Sequence, residues 1–423
     1  MKRGLLIAAA MALAALAGGC KNSGTAQNST NMRALNAVVD AEPLDVLVDD
    51  DVKVAALALG STSPLSVFDS GTRDVKIRSS TTQSVLNDKS ISFSSGQNST
   101  LLVYGKRSAL LTQLLSEDTT SASSGHFRIR VVNLSPDTGP VDLYVGDVGS
   151  TPAAISATGY GVVTSSAEVT SGSFRIAVTP SGTQDVLFQS AAQTFTDNNT
   201  TTVVVMPSLG GKLVNVVVLT QGSNGTGTLL TSSLGRVKAV NAIPDSSGLN
   251  FKADGTTLLA SVPYTGSSSY VTTAAGARTL QLEASNVPGT NIATLARQVD
   301  PTRDYSVIAL GSLASPQLVA LVDDNSLPVS GFAKLRLVNA YGGSGTVDVL
   351  VNFASQTTGL AYASGSSYYQ LAPSLTYTIT FSTPGAVSVI ATLTPAELDA
   401  GGVYSAYVFG SAGAAQVRLV RDR

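Results

Sequence analysis

A motif that recurs four times is the feature of this sequence that most constrains its fold. Each copy has an apolar residue, a basic residue, two apolar residues and an asparagine, and the copies end at Asn36, Asn133, Asn241 and Asn339. The asparagines lie roughly 100 residues apart, which is the length of a small domain and not of a solenoid repeat. The sequence therefore predicts four tandem domains of one kind.

A second polar position follows each asparagine at a fixed distance. Nine residues after the Asn, a short polar side chain opens another apolar run, at Asp45, Asp142, Asn250 and Asp348. One interpretation makes these pairs ligand or calcium contacts at a loop end. In the other, the Asn caps the turn that leaves the first strand, and the second residue fixes the start of the next strand. We favour the structural interpretation because Asn and Asp commonly cap turns.

Composition indicates that each domain is built of β-strands. Charged residues make up 13% of the chain, against about 25% in typical domains. Ser, Thr, Val and Gly are abundant, as in strands joined by tight turns. About six or seven short alternating runs in each repeat fit an antiparallel β-sandwich. We therefore predict an all-β chain of four tandem immunoglobulin-like antiparallel β-sandwich domains, with a barrel as the alternative.

The domain boundaries are predicted from the repeats and from the polar segments between them. The β-sandwich repeats are expected at residues 32–118, 127–221, 235–324 and 333–423. The intervening segments are rich in Ser, Thr, Gly and Asp and show no periodicity. Such compositions bury too little apolar surface to order themselves, so we expect flexible joints between the domains.

The amino terminus has the features of a secretory signal peptide, predicted at residues 1–19. A short basic region precedes an apolar run at residues 5–17. This run is too short to span a bilayer, where about 20 residues are needed. No later apolar run reaches that length, so we expect nothing but a lipid to enter a membrane.

The end of the apolar run resembles the lipobox of bacterial lipoproteins. The residues before Cys20 are LAGG, with Ala17 at the position where Leu is commoner, and Cys20 is the only cysteine of the chain. We expect Cys20 to be lipidated, with a palmitate-type acyl group, and residues 20–31 to form a tether. A secreted protein that is cleaved near the glycine pair is the alternative. Lys21 follows Cys20, and the sorting rule of Gram-negative lipoproteins then favours the outer membrane, on its periplasmic or cell-surface face. In a Gram-positive organism this rule does not apply, and we expect the protein outside the single membrane.

Scarcity of reactive side chains excludes several classes of enzyme. His126 is the only histidine, and we expect it to be solvated in a linker. Zinc sites with several His ligands, Ser-His-Asp triads and Cys-His dyads are therefore excluded. Acidic runs at residues 49–51, 197–199 and 323–325 could offer oxygens to calcium, but solvated turns and a linker are the favoured interpretation. We expect no catalytic residues, no metal and no cofactor, and a two-carboxylate hydrolase is a distant possibility.

Aromatic residues offer the main support for a ligand-binding role. The chain has no Trp, but Tyr264, Tyr270, Tyr362, Tyr368 and Tyr369 could supply platforms for carbohydrate. Packing in sandwich cores is the favoured interpretation of these residues. The net charge of −2 gives no electrostatic support for a nucleic-acid partner.

The second copy of the motif resembles a known family. Residues 130–137 read RVVNLSPD and residues 141–146 read VDLYVG, similar to the signature of the bacterial extracytoplasmic domain of unknown function 4397 family. The third copy keeps Pro244 and Asp245, whereas the first has Asp40 without a preceding Pro. The resemblance implies a β-sandwich on an exported or lipid-anchored protein. It brings no activity, ligand or catalytic residues.

The sequence favours a noncatalytic lipoprotein of the cell envelope. Tandem sandwiches that extend from a lipid anchor suit a spacer, an adhesion module or a protein-interaction scaffold, with recognition on the loops. Its expected partners are the membrane, through the lipid, and envelope proteins or polysaccharide. The alternative is a lipoprotein that binds carbohydrate or a small ligand.

Overall fold

The computed structural model describes residues 28–222, 227–343, 345–411 and 413–423. The predicted signal peptide and Cys20 lie outside these residues. Strands dominate the described chain, and its helical content is one 3-10 turn at Pro384–Ala386. Within the described residues, no helix is both long and apolar enough to cross a membrane.

Domain 1 consists of eight strands in two four-stranded sheets. The strands are β1 (Ser29–Asn36), β2 (Leu44–Val48), β3 (Asp51–Leu57), β4 (Ser66–Asp69), β5 (Gly71–Ser79), β6 (Val85–Phe93), β7 (Asn98–Lys106) and β8 (Ala109–Ser116). The first sheet has the order β4-β1-β7-β8, and the second has the order β3-β2-β5-β6.

Domain 2 repeats this arrangement with shorter strands. The strands are β9 (His126–Asn133), β10 (Val141–Val145), β11 (Ile155–Thr158), β12 (Ala167–Thr170), β13 (Gly172–Phe174), β14 (Ile176–Pro180), β15 (Phe188–Gln189), β16 (Gln193–Phe195), β17 (Thr200–Pro207), β18 (Val214–Thr220) and β19 (Gly227–Leu230). The two main sheets have the orders β12-β9-β17-β18-β19 and β11-β10-β14-β15. Strand β19 belongs to a segment that we expected to be a linker.

Domain 3 has the same topology as domain 1. Its strands are β20 (Leu234–Asn241), β21 (Leu249–Ala253), β22 (Thr256–Val262), β23 (Val271–Ala274), β24 (Gly276–Ala284), β25 (Asn291–Val299), β26 (Asp304–Ser312) and β27 (Ser315–Asp323). The sheet orders are β23-β20-β26-β27 and β22-β21-β24-β25.

Domain 4 follows the same plan. Its strands are β28 (Ala333–Tyr341), β29 (Thr346–Val351), β30 (Ala354–Ala361), β31 (Ser364–Gly365), β32 (Tyr369–Leu371), β33 (Ser374–Ser382), β34 (Val389–Leu398), β35 (Val403–Gly410) and β36 (Gln416–Arg421). The first sheet has the order β31-β28-β35-β36, with β32 also paired to β28, and the second has the order β30-β29-β33-β34.

The predicted all-β, multidomain sandwich architecture is confirmed. One pairing in each domain departs from the antiparallel pattern, because the first strand runs parallel to the next-to-last long strand: β1 with β7, β9 with β17, β20 with β26 and β28 with β35. This pairing places the start of each repeated motif beside a strand that lies some 70 residues later in the chain. Sequence periodicity does not reveal such a partner.

Strand β35 shows how each first sheet is buried on both faces. Tyr404, Ala406 and Val408 point into the core of domain 4. The alternate residues Tyr407 and Phe409 belong to a separate cluster shared with domain 3. A strand with one face in water would have polar residues at these alternate positions. The double burial therefore marks a contact between domains.

The domains pack in two pairs through the outer faces of their first sheets. Leu102 and Tyr104 of domain 1 contact an apolar cluster that includes Val204 and Met206 of domain 2. Domains 3 and 4 share the equivalent cluster around Phe409. The expectation of flexible joints between these partners is therefore wrong, because the outer faces carry enough apolar surface to bury against each other.

Candidate functional site

The four repeated asparagines have one structural task. All are fully buried, and each side-chain oxygen accepts a hydrogen bond of 2.9–3.0 Å from the backbone N–H two residues later. Each Nδ2 donates to a backbone carbonyl at or next to the end of the third strand of the domain, namely that of Leu57, Thr158, Val262 or Leu360. The Asn therefore caps its turn, as the structural interpretation predicted, and it also ties the two sheets together.

The polar residue nine positions later holds a β-bulge. Its Oδ1 accepts a hydrogen bond of 2.7–2.9 Å from the N–H of Ala56, Ala157, Ser261 or Gly359. All four of these residues have a positive φ, between 48° and 62°, a conformation that costs energy for residues other than glycine. The carboxylate or amide oxygen stabilises the bulge, which is a task that the sequence did not reveal.

Asn241→Ala is expected to lower the free energy of unfolding of domain 3 by about 3 kcal/mol, because it leaves buried backbone groups without partners. The affected groups are the N–H of Ile243 and the carbonyl of Val262. Urea denaturation measures the loss. Asn291→Ala, at an exposed position of the same domain, is the control and should change the stability by less than about 0.5 kcal/mol. Equal losses in the two variants would contradict the capping role.

The basic residue of each motif lies at an interface between paired domains. Arg33 of domain 1 donates to the carbonyl of Thr220 in domain 2 at 3.1 Å. In the reciprocal contact, Arg130 of domain 2 donates to the carbonyl of Ser116 at the end of β8 at 2.7 Å. Each domain of this pair therefore donates one such hydrogen bond to the other.

The equivalent reciprocal contacts between domains 3 and 4 are ion pairs. Lys238 of domain 3 pairs with Asp422 of domain 4, and Arg336 of domain 4 pairs with Asp323 of domain 3 at 2.7 Å. All four side chains are at most 3% exposed. Removal of such charges from water costs several kcal/mol each, which their mutual attraction and additional hydrogen bonds must offset.

Hydroxyl groups complete the solvation of the two carboxylates. Tyr270 and Ser306 donate to Asp323 at 2.5 and 2.7 Å, and Ser405 donates to Asp422 at 2.6 Å. Burial raises the pKa of Asp323, but the charges of Arg336 and Lys238 outweigh burial and hold the pKa below its usual value. Burial and the two nearby carboxylates raise the pKa of Tyr270, so this residue stays a neutral donor. We use the name buried polar network for seven side chains: Lys238, Tyr270, Ser306, Asp323, Arg336, Ser405 and Asp422.

A second pair links domain 3 to domain 2. Arg236 pairs with Asp304, and it also donates to the carbonyl of Gly210 in domain 2 at 3.1 Å. Asn325 donates to Asp304 at 2.7 Å. Burial raises the pKa of Asp304 to about 6, despite the hydrogen bonds from Arg236. The partners of Asp304 therefore offset the effect of burial on its pKa less than the partners of Asp323 do.

The prediction of a linker at the acidic run of residues 323–325 is wrong. Asp323 and Asn325 are fully buried, because the basic residues of two motifs and a neighbouring acid surround them. The signal that could have revealed this was the basic residue itself. A Lys or Arg within an otherwise apolar strand needs an acidic partner.

The other acidic runs fit surface turns. Asp50, in the run at residues 49–51, pairs with Lys76 at 2.7 Å while its side chain is 78% exposed. The run at residues 197–199 lies between β16 and β17, where Asn198 accepts a hydrogen bond from the N–H of Ala122. No group of three or more His, Cys, Asp or Glu residues suited to a metal ion occurs in the described part of the chain.

His126 lies at the start of β9 and is half-buried, not in a solvated linker. Its Nδ1 is 3.0 Å from the carbonyl oxygen of Ser124. We see no acidic or nucleophilic partner placed for catalysis among the hydrogen bonds of this side chain. The structure gives this residue a local role at the beginning of the domain.

The candidate carbohydrate platforms are packed side chains. Tyr264 and Tyr362 lie against the cluster between domains 3 and 4, and Tyr369 lies against the core of domain 4. Tyr270 and Tyr368 lie 4.9 Å from Arg236 and Lys334, respectively, in cation–π contacts. These tyrosines therefore stabilise domains and their interfaces, as the core interpretation predicted.

A cleft of about 410 Å³ lies between domains 2 and 3. Its lining includes Gln184, Asp185, Lys212 and Thr272, together with Tyr270. The mixture of carboxylate, ammonium, carboxamide and hydroxyl groups suits a small polar ligand.

Comparison with known proteins gives a family and no activity. The family model described as Domain of unknown function (DUF4397) matches residues 30–144, 235–342 and 333–423. No curated protein matches the chain. Among solved structures, the Bacillus anthracis TIE protein is 10% identical, with a TM-score of 0.16. The match covers 66% of this chain and 50% of that protein, and a TM-score this low carries no argument about the fold.

Proposed function

This chain belongs to the family described as Domain of unknown function (DUF4397), and on that premise we propose that it is a noncatalytic lipoprotein of the cell envelope. It serves there as a spacer, adhesion or protein-interaction scaffold. The observation that carries the proposal is that every repeated polar residue has a structural role. The motif asparagines, the bulge residues and the basic residues all bind backbone or partner domains, so the repeated chemistry builds a framework.

The paired packing of the domains supports a scaffold. Reciprocal cation contacts and an apolar cluster hold each pair together. A rigid pair holds its loops at fixed distances from each other, whereas domains without such an interface move relative to one another. The loops at the ends of the sandwiches are then the surfaces available for partners.

Crosslinking in intact cells, followed by mass spectrometry, tests the scaffold role. The expected result is a recurrent set of crosslinks from loop residues to envelope proteins or polysaccharide-bound proteins. A purified chain that turns over an envelope substrate would contradict the noncatalytic role.

Cys20→Ser is expected to abolish membrane retention and acylation. The motivation is the lipobox that precedes Cys20 and the absence of any other cysteine from the chain. Metabolic labelling with a palmitate analogue measures the effect, and the signal should be lost completely in the variant. Asn22→Ser, two residues later, is the control and should keep the label. Labelling that persists in Cys20→Ser would disprove the lipid anchor.

The outer membrane is the proposed location, because Lys21 follows the lipidated residue and no Asp is there to retain the protein in the inner membrane. Membrane fractionation of a Gram-negative host tests this location, and protease treatment of whole cells distinguishes the two faces. Recovery with inner-membrane markers would refute the role given to Lys21.

The cleft between domains 2 and 3 favours a second candidate function, the binding of carbohydrate or another small polar ligand. Lys212 and Thr272 offer donors there, and Asp185 offers an acceptor. A glycan array tests this candidate, with Lys212→Ala as the variant that should lose binding and the packed Tyr369→Phe as the control that should keep it.

A further inference from the structure

One pair in the buried polar network differs in kind from its counterparts. The basic position of the motif is Arg in domains 1, 2 and 4, at Arg33, Arg130 and Arg336, and Lys in domain 3, at Lys238. An Arg guanidinium remains protonated in proteins. A lysine amine becomes a nucleophile when it loses its proton. Of the four basic residues of the motif, only Lys238 can therefore act as a nucleophile and form an amide bond.

The group in contact with Lys238 is a carboxylate. Nζ of Lys238 contacts Oδ1 of Asp422, and the two side chains are 1% and 0% exposed. The rings of Tyr270 and Tyr407 lie 5.2 and 5.7 Å from Nζ, which keeps water away. Ser405 donates to Oδ2 of Asp422 at 2.6 Å and polarises the carboxyl group. Two reactive groups held in contact, in a dry site, gain a large effective concentration.

We propose that Lys238 and Asp422 join in an intramolecular amide that locks domain 3 to domain 4. Nζ attacks Cγ, the Nζ–Cγ bond forms, one Cγ–O bond breaks, and the departing oxygen leaves as water. The ammonium and carboxylate together contain the atoms of one amide and one water molecule. The step therefore needs no oxidant, metal or cofactor.

Asp323 is the nearby carboxylate whose charge acts on Lys238, and we assign it the role of carrying the proton. Its carboxylate lies in the same network and is held by Tyr270 and Ser306. Burial lowers the pKa of Lys238, but Tyr407, Asp422 and Asp323 outweigh burial and raise it. The neutral amine is thus a minor species and the reaction is slow, which is sufficient for a bond that forms once in each molecule. The amide also removes two charges from a site where burial is costly.

Peptide mapping of the full-length lipoprotein tests the proposal. Trypsin cuts after Arg236, Lys252 and Arg421, and an amide at Lys238 blocks the cut at that residue. The expected product is residues 237–252 joined to residues 422–423, with the combined mass less one water molecule. Residues 239–252 as the main product would show an ion pair only and would overturn the proposal.

Three variants test which side chains form the amide. Asp422→Asn should give the same linked peptide, because the side-chain amide reacts with Nζ by loss of ammonia. Lys238→Arg restores the residue of the other three copies, and it should fold but give no linked peptide. Asp323→Asn should slow the formation of the link after refolding while circular dichroism stays that of a folded sheet. A linked peptide of unchanged yield in Lys238→Arg would assign the bond elsewhere and overturn the proposal.

A denaturing gel provides an independent readout. Cleavage in the segment between domains 3 and 4 separates Lys238 from Asp422, which are 184 residues apart in sequence. With the amide, the two fragments should migrate together after boiling in detergent. Complete separation of the fragments from the wild-type protein would also overturn the proposal.

Discussion

Asp323→Ala is expected to lower the free energy of unfolding of domains 3 and 4 by about 3–5 kcal/mol, which is the typical cost of removing one partner of a buried ion pair. The substitution leaves the Arg336 guanidinium without its carboxylate and the hydroxyls of Tyr270 and Ser306 without their acceptor. Urea denaturation followed by tyrosine fluorescence measures the loss, since the chain has 13 Tyr and no Trp.

Asp51→Ala provides the matched control, because Asp51 lies in the similar acidic run at residues 49–51. The side chain of Asp51 is 80% exposed and lies 3.6 Å from Lys53. Exposed ion pairs of this kind contribute about 0–1 kcal/mol, so the variant should unfold almost as the wild type does. A loss for Asp323→Ala that is no larger than the loss for Asp51→Ala would mean that the buried polar network does not stabilise the domain pair.

The contrast between these two acids shows where prediction from sequence ended. Both lie in short runs of Asp beside polar residues, and local sequence does not distinguish them. Asp323 is buried because Arg336 and Lys238 approach it, one from the next domain and one from the first strand of its own domain. Such partners are set by tertiary packing, which a local composition argument does not include.

The repeated asparagines were interpreted correctly because their chemistry is local. Asn241 binds the N–H of Ile243, two residues later, and a turn-capping side chain is a property of a short segment. The role of Asn250 was only half predicted. Its partner, Ser261, lies eleven residues away, across a hairpin whose bulge has no signature in the sequence alone.

The sequence contains a signal for the pairing of the domains. The next-to-last long strand of each domain is buried throughout its apolar part, as in Val203 to Met206 of β17. A sheet that covers one core buries only alternate residues, so a continuous apolar run predicts a second buried face. Together with the basic residue of the motif, this run indicates that the outer face of the first sheet meets another domain.

Phe409→Ala is expected to loosen the apolar contact between domains 3 and 4 while both sandwiches stay folded. Phe409 is fully buried in the cluster between the domains, where its ring stacks on Tyr407 at 5.7 Å and meets Tyr264 at 6.5 Å. Truncation of a buried Phe costs about 3–5 kcal/mol. Here the cost falls on the interface, because the core of domain 4 is built from the opposite face of the same strand. Limited proteolysis should therefore cut first between Asp323 and Ala333.

Phe381→Ala is the matched variant, because it removes the same side chain from the core of domain 4. The transfer and cavity costs are similar, at about 3–5 kcal/mol, but the loss falls on the sandwich itself. Proteolysis should then cut within domain 4, at strands such as β33 and β34, and mass spectrometry of the fragments distinguishes the two patterns. If both variants gave cuts within domain 4, the cluster around Phe409 would be part of a single core. If Phe409→Ala left the segment between the domains as resistant as in the wild type, the interface would not hold the pair together.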